Sequence, residues 1–220
     1  HAGCNTRVAV WAGEFLVVQT SGQLVNLEHL PVVKLALQVI MDLAVGEIKQ
    51  GLNGFDTSLS IEPYLEKSYY KTASLIANSS KAAGCLSEVS AEIADDLYNY
   101  GRNIGLAFQI VDDILDFTAS TETLGKPAGS DLISGNLTAP ALFALEEKPY
   151  LEVLIEREFA QEGDIEQALA LVKDSQGIVR SRELATHHAQ QAVEYLAALP
   201  HSESHQALID LADYVLSRLY

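Results

Sequence analysis

A chain of 220 residues, 48% of them hydrophobic and 20% charged, is long enough to bury a sizeable core. Its 30 acids against 14 bases leave a formal net charge of −16, which argues against non-specific nucleic-acid binding. A phosphorylated ligand stays admissible, because a local basic patch with a metal ion outweighs the global field.

The chain in order reads as a series of helices. The first is expected over 7–27, with Val8, Trp11, Ala12, Phe15 and Leu16 at helical spacing. Asn26 and Pro31 mark its end and the next start. The second covers 31–51, with a stripe through Val33, Leu37, Ile40, Met41, Ala44 and Ile48. Ser60 is the expected cap of a third, with Pro63 in its first turn and a stop at Gly84. Ser90 caps a fourth over 91–117, inside which Gly101 and Gly105 permit close helix packing. Residues 118–136, rich in Gly, Pro, Ser and Thr, form a loop too long for an ordinary bundle turn, and such loops are often functional. Shorter helices come next over 137–145, 150–160 and 164–173, then 178–199 and 202–220. No stretch alternates with period two, so the fold class is all-α, an antiparallel helix bundle, with one domain over 1–220.

No apolar run reaches the roughly 18 to 20 residues that a membrane span needs; the best, 8–18, is broken by Glu14. Cys4 and Cys85 fit neither a metal spacing nor a disulfide framework, which points to a reducing compartment. With no signal or transit peptide recognisable, a cytoplasmic location is expected. The chain opens on His1 rather than Met and is expected to be a fragment.

Residues 105–116, GLAFQIVDDILD, carry the chemistry. Asp112, Asp113 and Asp116 lie inside an apolar helical pattern of Ile110, Val111, Ile114, Leu115 and Phe117. At about 100° per residue, Asp112 and Asp116 share a face that Gln109 joins, with Asp113 one position round. Like charges at i,i+4 destabilise a helix, and an ionised carboxylate against a core is costly unless paired. The cluster therefore calls for a cation. A hard divalent ion such as Mg²⁺, which takes one or two carboxylates plus substrate phosphates, suits it. The competing reading is a solvated acidic turn.

Lys71 and Thr72 sit mid-helix among Tyr69, Tyr70, Ala73 and Leu75, so Lys71 reads either as a snorkelling surface group or as a phosphate contact. Lys126, in Gly125–Gly129, is a second cation among glycines that let backbone donors approach an anion; a solvated loop lysine is the alternative. Asp131 either caps the segment after it or orients Lys126. His201 and His205 are four apart but lack the acid of an HExxH arrangement, and no Walker A loop or GxGxxG is present.

These motifs resemble the trans-type isoprenyl diphosphate synthases, the polyprenyl synthetase family. Residues 108–117, FQIVDDILDF, are similar to that family's second aspartate-rich DDxxD motif. Residues 124–132, LGKPAGSDL, resemble its GKxxGxDL loop, Lys71-Thr72 its KT motif, and Gly46-Glu47 with Gln50 its GExxQ element. The wording of 135–140, GNLTAP, is similar to long-chain synthases of photosynthetic lineages, of the solanesyl type, which adds a plastid as an alternative location. The resemblance covers the C-terminal two-thirds of an isoprenoid synthase fold.

The resemblance implies Mg²⁺-dependent condensation of isopentenyl diphosphate with an allylic diphosphate, by a homodimer, to a longer trans-polyprenyl diphosphate. It makes Asp112 the main metal ligand, with Asp113 and Asp116 as ligands or supports. Lys71, Thr72, Gln109 and Lys126 are expected to hold the allylic diphosphate, and Asp112, Asp113, Lys71 and Lys126 to be the catalytic set. Two departures stand out. The family's loop usually has a second lysine where this chain has Asn136, so neutralisation there is weaker or comes from elsewhere. The family's first DDxxD motif and its paired arginines are expected just before His1, so the 220-residue chain alone is expected to be inactive. A non-catalytic regulatory subunit and a terpene cyclase of similar fold are the alternatives.

Overall fold

The computed structural model describes residues 5–52, 54–119 and 128–219. They form α1 (Thr6–Val25), α2 (Leu30–Leu52) and α3 (Ile61–Ser68), the last continued by a π-helical turn (Tyr69–Ala73) into α4 (Ser74–Leu86). Then come α5 (Ala91–Thr118), α6 (Ser130–Ile133), α7 (Ala139–Leu145), α8 (Pro149–Glu156), α9 (Asp164–Lys173), α10 (Gly177–Glu194) and α11 (Glu203–Ser217). Among the described residues there is no strand, and no helix is long and apolar enough to cross a membrane.

Local chemistry sets the boundaries. Ser90 accepts a hydrogen bond from the Ile93 N–H at 3.3 Å, and Ser202 one from His205 at 3.1 Å, so both act as N-caps. Ser60 has the extended backbone of a cap but no side-chain cap bond. Pro149 opens α8, where its missing N–H costs nothing. That helix stops at Glu156 rather than at 160, because Glu158 and Phe159 both take positive φ and turn the chain. Likewise α10 ends at Glu194, five residues earlier than its apolar pattern suggests.

The 28-residue α5, about 42 Å long, is the axis of the bundle. It joins α4 through a short turn and packs along it, and α10, α11 and the π-helical turn cover its other sides. Ile110, Val111, Ile114 and Phe117 are fully enclosed, together with Tyr64, Leu132, Leu137, Leu151, Leu154 and Ile155. Its two glycines are required by contact. A Cβ on Gly105 would stand 2.5 Å from Ala73 Cα, and one on Gly101 would stand 2.7 Å from the Ile76 carbonyl oxygen. The backbone of the π-helical turn is thereby held directly against α5.

The expected uninterrupted third helix is thus three segments. The π-helical turn holds Lys71 and Thr72, and such turns are frequent at functional sites. Within the expected loop after α5, the described residues 128–136 are more structured than their composition suggests. Gly129, at φ +73°, starts α6, and Gly135, at φ +77°, lies so close to Phe55 that a side chain there would overlap the ring. By contrast, α1 buries none of its residues, and Trp11, Phe15, Leu16, Leu37 and Met41 on α1 and α2 face outward.

Candidate active site

Asp113 is the buried centre of the site. Its Oδ2 accepts from the Tyr64 hydroxyl at 2.6 Å, and its Oδ1 accepts from Gln109 Nε2 at 2.8 Å. Gln109 Oε1 in turn accepts from the Thr72 hydroxyl at 2.6 Å. One chain of hydrogen bonds therefore fixes α3, the π-helical turn and α5 to each other. Burial pushes the Asp113 carboxyl up to about 7; the bonds from Tyr64 and Gln109 act against that, the charge of Asp131 adds to it, and Lys67 opposes it. Burial, and then the adjacent Asp113, hold the Tyr64 phenol far above its usual range.

The three acids of the motif have three different surroundings. Asp116 is buried; its carboxylate accepts from Ser130 Oγ at 3.0 Å and from the Asp131 N–H at 3.2 Å, anchoring the chain after the loop. Asp112 is half-exposed and pairs with Arg218 of α11, Nη2 to Oδ1 at 2.8 Å. The Arg218 guanidinium also lies over the Phe108 ring, 4.6 Å from its centre. Among the described residues no group of three His, Cys, Asp or Glu side chains is placed to hold a metal. Asp113 and Asp116 are buried whereas Asp112 is half-exposed, so Asp112 is the member of the motif that presents itself outward. One carboxylate of this kind, completed by ligand phosphates, is a donor set that fits Mg²⁺.

Lys71 is exposed, with Nζ 3.3 Å from Gln50 Oε1 on α2. Lys126 and the glycine before it lie outside the described residues, and the expected Asp131–Lys126 contact lies outside them too. Asp131 sits in the first turn of α6, and its carbonyl accepts from the Asn136 N–H at 2.9 Å. Sequence reasoning overlooked Tyr64, Lys67, Asn136 as a contact, and Arg218. The signal for Lys67 was its place one turn before Lys71.

Gln50, Tyr64, Lys67, Lys71, Gln109, Asp113, Asn136 and Thr138 line one narrow cavity of about 10 Å³, room for about one water molecule. The larger surface depression, about 600 Å³ around Thr57, Leu59, Phe143 and Arg180, shares no residue with it and holds none of the motif side chains. The narrow cavity is thus the one that Lys71, Gln109 and Asp113 line.

Residues 1–172 match the family model described as Polyprenyl synthetase. The chain belongs to the polyprenyl synthetase family. It is 62% identical over 216 residues to a prenyl transferase of Synechocystis sp., covering 98% of this chain and 67% of that one. It is 52% identical over 219 residues to chloroplastic solanesyl diphosphate synthase 1 of Arabidopsis thaliana, covering all of this chain but 54% of that one. The chain thus spans about two thirds of the first relative and about half of the second.

Among solved structures, the apo form of an Arabidopsis medium/long-chain prenyl pyrophosphate synthase superposes with a TM-score of 0.87 at 40% identity, over 98% of this chain and 74% of that one. A polyprenyl synthase from Caulobacter crescentus, complexed with calcium and isoprenyl diphosphate, superposes with a TM-score of 0.91 at 33% identity, over 97% of this chain and 67% of that one. The all-α class and the family resemblance read from the motifs are borne out. The names of these relatives favour neither a regulatory subunit nor a terpene cyclase.

Proposed function

We propose that this polyprenyl synthetase chain carries the allylic-diphosphate site of a polyprenyl diphosphate synthase, within one isoprenoid synthase domain. The substrates are an allylic diphosphate and isopentenyl diphosphate, and the product is a longer trans-polyprenyl diphosphate. What supports the reading most is the hydrogen-bonded line from Thr72 through Gln109 to Asp113 and Tyr64, with Lys71 at its edge. It joins two motifs that are far apart in sequence, Lys71-Thr72 and residues 108–117, and Tyr64 of α3 into one polar surface.

The chain's residues divide the work. Lys71 and Lys126 bind the diphosphate and accept the charge that develops as its bond to the allylic carbon breaks. Thr72 and Gln109 orient it, held in place by Asp113. Asp112 would hold Mg²⁺, with Asp113 and Asp116 as supports. The ion, when bound, supplies electrostatic stabilisation of the leaving diphosphate. An apolar tunnel between the helices would exclude water while the isopentenyl double bond attacks the allylic cation, after which a proton is lost, with diphosphate the candidate base.

Asp112→Ala in the full-length protein is expected to abolish prenyl transfer in the presence of Mg²⁺, and near-normal turnover would overturn the assignment. A homodimer is part of the proposal, because the outward apolar side chains of α1 and α2 need a cover; sedimentation as a monomer would count against it. One relative is named chloroplastic, so a plastid fits the reading as well as the cytoplasm does.

A further inference from the structure

We infer that Lys67 is an additional diphosphate-binding cation, which supplies from α3 the positive charge that Asn136 does not. This rests on the reading of the site given under Proposed function. Lys67 lies in the last turn of α3 and is only 7% exposed. Its ammonium donates to Asn136 Oδ1 at 2.5 Å and to the Leu137 carbonyl at 3.5 Å. Both partners are neutral. Among the described residues no carboxylate lies within the 4.0 Å of an ion pair.

A buried ammonium whose hydrogen-bond partners are all neutral, with Asp113 and Asp131 acting only from longer range, is costly, and the cost is offset when an anion arrives. Two further groups in the same cavity point to one. Lys71, four residues on, adds a second positive charge beside the first instead of neutralising it. The Thr138 hydroxyl is 2% exposed and has no hydrogen-bond partner. It is a donor without an acceptor. The cavity itself admits no phosphate, so the anion rests at its mouth, where Lys71 is exposed, and Lys67 acts from the floor. A lysine at position 136 would reach the same point from the other wall. Here the charge and its amide partner have exchanged sides.

The test uses the full-length protein, titrated calorimetrically with inorganic diphosphate in the presence of Mg²⁺, beside the KM for an allylic diphosphate. Lys67→Met is expected to weaken inorganic diphosphate about tenfold and to raise that KM similarly. Inorganic monophosphate, with less charge to lose, should weaken less. The exchanged pair, Lys67→Asn with Asn136→Lys, should recover diphosphate affinity to within about threefold, which a strut between α3 and residue 136 would not do. Unchanged affinity in Lys67→Met, or no recovery in a folded exchanged variant, would overturn the inference. The exchanged variant also decides the matter where Lys67→Met fails to fold. Because the titration needs no turnover, a wild-type protein that binds diphosphate through Lys67 yet transfers no prenyl group would sink the proposed function and leave this inference standing.

Discussion

Arg218 Nη2 lies 2.8 Å from Asp112 Oδ1, so the last turn of the bundle engages the outward-facing carboxylate of the aspartate motif. A guanidinium and a divalent ion compete for that oxygen. The pair is partly exposed on both sides, and such pairs are worth about 0.2–1 kcal/mol. Arg218→Gln is therefore expected to lower the Mg²⁺ concentration for half-maximal activity by up to about fivefold, without a change at saturating metal. A metal titration that is identical in the two proteins would show that the ion pair does not hold Asp112 in solution.

Gly105 is the point where a side chain has nowhere to go. Its Cβ would meet Ala73 Cα at 2.5 Å, and a backbone atom cannot rotate away. Overpacking of this kind costs about 1–3 kcal/mol. At roughly 2–4 °C per kcal/mol for a chain of this size, Gly105→Ala should lower the thermal midpoint by several degrees. It should also weaken diphosphate binding, because the strain falls on the turn that carries Lys71 and Thr72. An unchanged midpoint would mean that α5 and this turn can separate at little cost.

His188 makes stability depend on pH. It is buried on α10, with Nδ1 2.8 Å from Asn103 Oδ1, and burial first, then His187 and Arg102, hold its pKa down to about 4. Unfolded, the imidazole takes its proton near pH 6.5. Between those values the unfolded chain binds more protons. The contribution is complete above about pH 6.5 and is lost as pH falls toward 4, on the order of 3 kcal/mol. Asp113, pushed up to about 7, contributes with the opposite sign in an overlapping window. The measurement is therefore urea unfolding of wild type against His188→Gln at pH 7.5 and 5.0. The difference between the two proteins should shrink at the lower pH, and a constant difference would show that His188 does not titrate on unfolding.

The aspartate cluster was legible in the sequence because three acids in an apolar helix are conspicuous. Their division of labour was not. Helical spacing puts Asp112 and Asp116 on one face, but the partners that separate them, Arg218 and the Ser130–Asp131 turn, come from elsewhere in the chain. Gln109 likewise turns to Asp113, four residues on, and not to Asp112. Lys67 was hidden for a simpler reason. A lysine is read as a surface residue by default, and what buries this one is a loop 69 positions downstream. The long helices were legible from their period, whereas the π-helical turn was not, since it leaves the apolar pattern nearly unbroken.

That turn also fixes the phase between two halves of one helix. A π-helical turn holds one residue more than the α-helical turn it replaces. Losing one residue from Tyr69–Ala73 would let an uninterrupted α-helix form at no loss of hydrogen bonding. An unbroken α-helix of the same length would instead rotate everything after it by about 100° relative to Tyr64 and Lys67. The extra residue thus acts as a vernier. It lets Tyr64 and Lys67 on one side, and Thr72 on the other, point at a common target that an unbroken helix would place on different faces.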